Sequence, residues 1–218
     1  MKVVEKFVSI NGEGKRAGEL AVFIRFFGCN LNCSYCDTKW AKESGCPYEE
    51  MSAGQIADYV KDTGVKNVTL TGGEPLLQQG IDSLIEVLEK IPEIRIEIET
   101  NGSIILPSDR VSSKVCFTMD YKLAGSGCEE QMQLDNFMYL RAQDTVKFVV
   151  SSGADLERAE EVIRQYQLCE ICQVYLSPVF GAIAPADIVE YMKEKGMNDV
   201  RLQLQIHKLI WNPKKRGV

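Results

Sequence analysis

Three cysteines on one short stretch constrain this chain more than any other feature of its sequence. Cys29, Cys33 and Cys36 follow an apolar, strand-like run at residues 20–27 with the spacing C-x3-C-x2-C. Thiolates are the usual ligands of iron–sulfur clusters, and three of them leave one iron of a [4Fe–4S] cluster with an open coordination position. The spacing therefore predicts a [4Fe–4S] cluster whose open iron binds a small chelating ligand.

A structural zinc site is the alternative for the same cysteines. Zinc of that kind is closed by four ligands, so a fourth would have to come from elsewhere in the chain. None of the candidates belongs to a second closely spaced pair of ligands near the motif. They are Cys46, Cys116, Cys128, Cys169, Cys172 and His207. The pair Cys169 and Cys172 is interpreted as structural, because free cysteine often behaves as a small buried hydrophobic residue.

Length and composition are those of one globular domain spanning residues 1–218, with 45% hydrophobic and 26% charged residues. The net charge of −6 argues against sequence-independent binding of nucleic acid. The apolar runs are shorter than the roughly 18 residues of a membrane span, and the N-terminus lacks the apolar core of a signal peptide. Eight cysteines without such a signal predict reduced thiols or metal ligands in the cytoplasm.

Strand-like and helix-like segments alternate along the chain, which predicts an α/β fold with a mostly parallel sheet. About six β/α units are too few for a closed eight-stranded barrel, so we expect a partial barrel that is open on one side. The expected strands lie near residues 3–10, 20–27, 67–71, 95–100, 115–119, 145–150, 174–176 and 200–206, and the expected helices near 52–62, 81–90, 155–166 and 185–195.

Polar loops follow several of these strands and should share one rim of the sheet, where α/β folds bind ligands. The segment Thr71-Gly72-Gly73-Glu74-Pro75 is one of them, and its glycines let a ligand approach the backbone closely. Arg25 interrupts an apolar strand and needs a negative partner. That partner is either an acid such as Asp37 or a carboxylate on a ligand.

The cysteine motif, with Tyr35 before its last cysteine, resembles the signature of radical S-adenosylmethionine enzymes, and the GGEP segment is typical of the same superfamily. The resemblance implies that S-adenosylmethionine chelates the open iron and is cleaved to a 5′-deoxyadenosyl radical that abstracts hydrogen from the substrate. It also implies cofactor contacts at Tyr35, Asp37, Gly72, Gly73, Glu74, Glu99, Asp120, Lys122, Ser126 and Ser177.

A closer resemblance covers essentially the whole chain. The segments 11–14, 36–38 and 205–211, together with Arg25 four residues before the first cysteine, resemble the 7-carboxy-7-deazaguanine synthases. Asn11 departs from that family, which often has glutamine there. The family's reaction contracts the ring of 6-carboxy-5,6,7,8-tetrahydropterin with loss of ammonia, on the pathway to queuosine and related 7-deazapurines. The implied substrate contacts are Ile10, Asn11, Gly12, Glu13, Arg25, Thr71, His207 and Val218, and Thr38 is implied to bind Mg²⁺.

The same resemblance implies a flavodoxin- or ferredoxin-type electron donor and a homodimer. Two other functions compete with the synthase. An activase that makes a glycyl radical on a partner protein would share the cluster and the GGEP segment. It would leave Thr38 and the segment 11–14 unexplained. An iron–sulfur electron carrier would need no substrate residues and would normally use four cysteines.

Overall fold

Seven parallel strands make up most of the one sheet in the computed structural model, which describes residues 1–213 and 215–218. The strand order is β3-β1-β2-β4-β5-β6-β7-β8-β9, with β1 antiparallel to β2 and β3. Within the described residues the two edge strands do not pair, so the sheet is a partial barrel. The strands are β1 Lys2–Ile10, β2 Leu20–Phe26, β3 Glu49–Glu50, β4 Asn67–Gly72, β5 Arg95–Thr100, β6 Val115–Tyr121, β7 Thr145–Val150, β8 Gln173–Pro178 and β9 Val200–Leu202.

Apolar and polar residues alternate along the parallel strands, although both faces of the sheet are largely covered. In β5, Ile96 and Ile98 are fully buried in the apolar core, while Glu97 and Glu99 point to the other face. Successive side chains of a strand point to opposite faces, so this alternation gives the sheet an apolar outer face and a polar inner face. Parallel strands covered on both sides usually read as continuous apolar runs, and the departure marks the inner face as a ligand site.

All the helices except the last, at residues 206–210, pack apolar side chains against the outer face. Helix α1 begins with a complete capping box formed by Ser52 and Gln55 and ends at Gly64, whose φ is +67°. Pro185 opens α5 at a position where its missing N–H costs nothing. The helices are α1 Ala53–Thr63, α2 Ile81–Glu89, α3 Gly153–Gln165, α4 Leu168–Ile171, α5 Pro185–Lys195 and α6 Ile206–Ile210.

The β1–β2 loop and the C-terminal segment cover the polar inner face. The backbone N–H of Ile206 donates to the carbonyl of Gly12 at 3.0 Å. The side-chain amide of Gln203 donates to the carbonyl of Gly14 at 3.2 Å. These bonds hold α6 and the loop together, so the inner face is enclosed on the side that no helix of the outer layer covers.

The predicted fold class is confirmed, and the main errors concern the last strand. Residues 200–206 were expected to be one strand, but β9 ends at Leu202 and residues 206–210 form α6. The Gln203 N–H still donates to the carbonyl of Leu176 in β8, but the Ile206 N–H donates to the carbonyl of Gly12 across the inner face, so the chain has left the sheet edge by then. The short elements β3 and α4 were not predicted. No helix of the described residues is long and apolar enough to cross a membrane.

A pair of Gly→Ala substitutions tests the contact between the loop after β4 and the cysteine loop. A Cβ at Gly73 would lie 1.7 Å from the carbonyl oxygen of Gly28, whereas one at Gly54 in α1 would meet only the Ser52 hydroxyl at 4.0 Å. We expect Gly73→Ala to lower the free energy of unfolding by about 1–3 kcal/mol. Gly54→Ala should raise it by about 0.5 kcal/mol. Urea unfolding measures both, and a Gly73→Ala variant as stable as the parent would contradict this packing.

Candidate functional site

The cysteine loop lies across the rim formed by the carboxyl ends of the parallel strands. The backbone N–H of Glu74, after β4, donates to the carbonyl of Gly28 at 2.9 Å. The backbone N–H of Ser34 donates to the carbonyl of Ser126, after β6, also at 2.9 Å. The Tyr35 hydroxyl donates to the carbonyl of Val149 in β7 at 3.3 Å. Three different strands therefore fix the loop.

The three thiols suit a cluster at this rim. Cys29 and Cys36 are half-buried and Cys33 is buried, and all three are free thiols. The Cys29 sulfur accepts from the backbone N–H of Leu31 at 3.4 Å and from the side-chain amide of Asn101 at 3.5 Å. Such bonds stabilise a thiolate and tune a cluster. Burial raises the pKa of the Cys33 thiol to about 11, opposed by Lys122, so a bound cation is needed to hold it as a thiolate.

The zinc alternative is less well supported. Cys128 lies beside Cys33 and contributes to the raised pKa of its thiol. Within residues 1–213 and 215–218, however, His, Cys, Asp and Glu side chains do not gather in threes as they would around a single ion. A closed zinc site needs four ligands at one centre. A [4Fe–4S] cluster binds each thiolate at a different iron, so three separated thiols on one loop fit the cluster.

Gly72 and Gly73 pack directly on the strand that leads to the cysteines. Gly72 has a φ of +133°, and a Cβ there would lie 2.4 Å from the backbone of Phe26. Glu74 is fully buried and accepts from the Leu76 and Asn101 N–H groups and from the Thr100 hydroxyl. Burial raises the pKa of Glu74, and these hydrogen bonds oppose that shift. In this structure Glu74 ties the loops after β4 and β5 together.

Asp120 and Lys122 form a pair at the end of β6. The Lys122 ammonium lies 2.9 Å from one carboxylate oxygen of Asp120. Burial raises the pKa of Asp120, but Lys122 and Lys147 outweigh it and leave the pKa below its ordinary value. Ser126 is buried nearby and donates its hydroxyl to the Leu123 carbonyl at 2.6 Å. The pair is therefore charged, and its position beside the cysteine loop suits a zwitterionic ligand.

Glu13 reaches the inner face from the β1–β2 loop and meets two strands. One oxygen accepts from the Lys147 ammonium at 3.1 Å, and the other accepts from the Ser177 hydroxyl at 3.2 Å. Ser177, predicted as a cofactor contact, thus bonds to a predicted substrate contact. Glu99 shows the same pattern, since it accepts from the Thr71 hydroxyl at 2.6 Å. Burial raises the pKa of Glu99, with Lys147 opposing the shift.

Arg25 is paired with Glu5, not with Asp37. The two residues lie opposite each other on β2 and β1, and the Arg25 Nε donates to a Glu5 oxygen at 3.1 Å. Asp37 instead accepts from Lys208 of α6 at 3.0 Å. Among the residues that the structure describes, the two terminal guanidinium nitrogens of Arg25 have no protein acceptor. They remain available to a ligand.

The remaining predicted residues lie on the covering segments. Asn11 is buried. Its side-chain oxygen Oδ1 accepts from the Thr69 hydroxyl at 2.8 Å, and its side-chain nitrogen Nδ2 has no partner among the described residues. The His207 ring lies against Gly12, where a Cβ would be 1.9 Å from Nδ1. Burial lowers the pKa of His207. Ile10 ends β1, and Val218 is half-buried.

Four residues near the site were not predicted from the sequence: Glu5, Glu97, Asn101 and Lys147. Lys147 carried a usable signal, because it interrupts the apolar run of β7 just as Arg25 interrupts β2. Glu5 and Asn101 carried none, since their partners are 20 and 72 residues away in the sequence.

Glu97 lies deeper in the inner face than Glu99 and is 4% exposed. One oxygen accepts from the Thr118 hydroxyl at 2.6 Å, and the other is buried without a partner within the described part of the chain. Burial and then the neighbouring Glu99 raise the pKa of Glu97 to about 7. Glu97 therefore binds a proton more tightly in the folded protein than in the unfolded chain.

This shift makes the stability of the protein depend on pH. A raised carboxyl pKa contributes stability that is fully present below the unfolded pKa and is lost as the pH rises towards about 7. Glu97→Gln stays neutral throughout. Its free energy of unfolding relative to the parent should therefore rise by about 3 kcal/mol between about pH 5 and about pH 8. Denaturant unfolding across this range checks it, with Glu157→Gln on α3 as the control for a lost charge. A constant difference would show that Glu97 is ionised throughout.

Comparisons with known proteins identify the family of this chain. A model of the Radical SAM superfamily matches residues 23–111, which include the cysteine loop and the GGEP segment. A relative from Clostridium acetobutylicum, named 7-carboxy-7-deazaguanine synthase, is 56% identical over 218 residues, covering 100% of this chain and 99% of its own. A relative of the same name from Chlorobaculum tepidum is 37% identical over 222 residues, covering 100% of this chain and 97% of its own.

A solved structure, that of QueE from Escherichia coli, has a similar fold. The TM-score is 0.75 at 22% sequence identity, over 93% of this chain and 92% of that one. At this identity the likeness supports the partial-barrel fold alone. The evidence for the family comes from the sequence relatives, which match along the entire chain.

Proposed function

The chain belongs to the 7-carboxy-7-deazaguanine synthase family of radical S-adenosylmethionine enzymes, and from that premise we propose that it converts 6-carboxy-5,6,7,8-tetrahydropterin to 7-carboxy-7-deazaguanine and ammonia. The enzyme is then a carbon–nitrogen lyase. Loss of ammonia from the carboxypterin gives the composition of the product, so the overall step needs no net oxidant. A cofactor that is regenerated in each cycle suits such a rearrangement.

The observation that carries this proposal is the enclosed, charged inner face beside the cysteine loop. Arg25, Glu13 and Glu99 point into it from three different segments, and loop 11–14 and α6 cover it. A pterin offers a carboxylate for a guanidinium and N–H groups for carboxylates. An enclosed site of this kind suits a small polar molecule better than the backbone loop of a partner protein, which a radical activase must admit.

The cofactors of the superfamily fit the rim. Cys29, Cys33 and Cys36 would hold the [4Fe–4S] cluster, which together with S-adenosylmethionine supplies the radical that abstracts hydrogen from the pterin. The charged pair Asp120 and Lys122 would bind the polar groups of S-adenosylmethionine. Glu74 would keep Gly72 and Gly73 against the cysteine loop, so that their backbone is accessible to the same ligand.

The inner-face residues orient the pterin in this proposal. Glu5 holds the Nε side of Arg25, which leaves the terminal nitrogens to grip the carboxylate at two points. Glu13 and Glu99 would accept from the amino and N–H groups of the ring. The cover formed by Gly12 and His207 excludes water from the radical step.

A Mg²⁺ ion beside the cluster is part of the proposal. The Thr38 hydroxyl lies 3.8 Å from the Cys36 sulfur and donates to an Asp37 oxygen at 3.3 Å. Hydroxyl and carboxylate oxygens are ligands that Mg²⁺ accepts, and it usually keeps positions for water and substrate. The flavodoxin- or ferredoxin-type donor and the homodimer remain predictions from the family.

Anaerobic turnover tests the proposed function. The reconstituted protein is incubated with S-adenosylmethionine, a reductant and the carboxypterin, with no other protein present. We expect the absorbance of a deazapurine to appear. Cys36→Ala should lose both iron and turnover. The double variant Cys169→Ala/Cys172→Ala should keep both, because Cys36 lies on the cysteine loop with Cys29 and Cys33 and the other two cysteines do not. Turnover that requires a partner protein, or iron lost from the double variant, would contradict the assignment.

Arg25→Lys tests how the substrate is recognised. The substitution keeps the charge but loses the planar two-point grip. Breaking a desolvated charge pair typically costs about 2–5 kcal/mol. We therefore expect kcat/KM for the carboxypterin to fall about thirtyfold or more. Iron content should stay normal, and Arg95→Lys at an exposed ion pair with Glu19 is the control.

A structural role for Arg25 gives a different pattern. The variant would then lose thermal stability or iron content. A pterin without the carboxylate would also bind the parent protein as tightly as the carboxypterin does.

A further inference from the structure

Lys147 is a buried cation among the acidic side chains of the inner face. Its side chain is 8% exposed, and its ammonium donates to a Glu13 oxygen at 3.1 Å. The same ammonium lies 3.3 Å from an Asp120 oxygen. Glu13 belongs to the loop that covers the site, whereas Asp120 ends β6 beside the cysteine loop. One cation therefore connects the loop that covers the inner face with the strand end beside the cysteine loop.

The charged groups around Lys147 come from every neighbouring element. Acids on three elements act on it, and burial alone would lower its pKa. The acids outweigh burial and raise the pKa well above its ordinary value, so the group is an ammonium at all relevant pH values. The facing titratable and charged groups are Glu13 on the β1–β2 loop, Arg25 on β2, Glu97 and Glu99 on β5, Asp120 and Lys122 on β6, and Asp37 and His207 on the segments that cover the rim.

We propose that Lys147 is a positioning residue whose one ammonium holds the Glu13 carboxylate towards the pterin and pairs with the Asp120 carboxylate on the side of S-adenosylmethionine. This inference rests on the proposed function. It extends that function by linking the two binding events through one side chain. Among the described residues, Lys122 forms an ion pair with Asp120 and not with Glu13, so we expect it to act on the cofactor side.

Removal of the ammonium has a predictable effect on Glu13. Lys147 donates to one of the two Glu13 oxygens, and Ser177 donates to the other. Without the ammonium, the first oxygen loses its donor and the carboxylate is held at one point only. A carboxylate held at one point can turn away from the N–H groups of a pterin, so we expect the pterin to bind more weakly.

The test compares Lys147→Met with the parent, Lys122→Met and Lys193→Met, all reconstituted with cluster. Lys193 is exposed on α5 and forms an ion pair with Glu190, far from the site, so it controls for a Lys→Met change. The measurements are kcat and KM for the carboxypterin and the Kd of S-adenosylmethionine.

For Lys147→Met we expect KM for the carboxypterin to rise about tenfold or more, kcat to change less than KM, and the Kd for S-adenosylmethionine to weaken. Lys122→Met should weaken the binding of S-adenosylmethionine alone. Lys147→Gln, which keeps a donor, is measured if the methionine variant does not fold. The proposal is overturned if KM and Kd match the parent, if kcat falls while KM is unchanged, or if neither variant folds with normal iron. No turnover by the parent would instead reject the proposed function.

Discussion

Buried charge on the inner face of the sheet is the constraint on which the rest of the structure depends. An unpaired charge is costly away from water, and a buried pair is favourable only when its geometry and hydrogen bonds are good. Here the Lys147 ammonium forms ion pairs with Glu13 and Asp120, although the Asp120 oxygen that faces it accepts no hydrogen bond within the described residues. Arg25 is held by Glu5 on its Nε side only, and one oxygen of Glu97 has no partner in the described residues. Most charges of the inner face are thus paired, and the terminal nitrogens of Arg25 and one oxygen of Glu97 are left for a ligand.

The cysteine loop depends on the same rim. Its backbone bonds to the loops after β4 and β6, and these contacts leave no room for a side chain at Gly73. Glu74, fully buried, accepts two hydrogen bonds from the end of β5, at Thr100 and Asn101, and a third from Leu76 in its own loop. The cluster ligands are therefore supported by rigid strands, which suits a site that must place a reactive group against its substrate.

The sequence predicted the parts of the site that local patterns encode. The cysteine spacing, the glycine pair after β4 and the alternation of strands and helices all express short-range rules, and the fold class followed from them. The interior lysine of β7 showed the same signal as Arg25 and could have been predicted. The contacts of Glu5 with Arg25 and of Asn101 with Cys29 could not, because they join residues far apart in sequence. The end of β9 was missed because α6 is held by bonds to Gly12 across the sheet.

The most direct test of this account is an anaerobic crystal structure of the reconstituted protein with S-adenosylmethionine and the carboxypterin. We expect iron bonded to the sulfurs of Cys29, Cys33 and Cys36. The pterin should lie on the inner face, with its carboxylate within hydrogen-bond distance of both terminal nitrogens of Arg25 and with Lys147 still bonded to Glu13. Iron at other cysteines, or a pterin bound outside the inner face, would contradict the account.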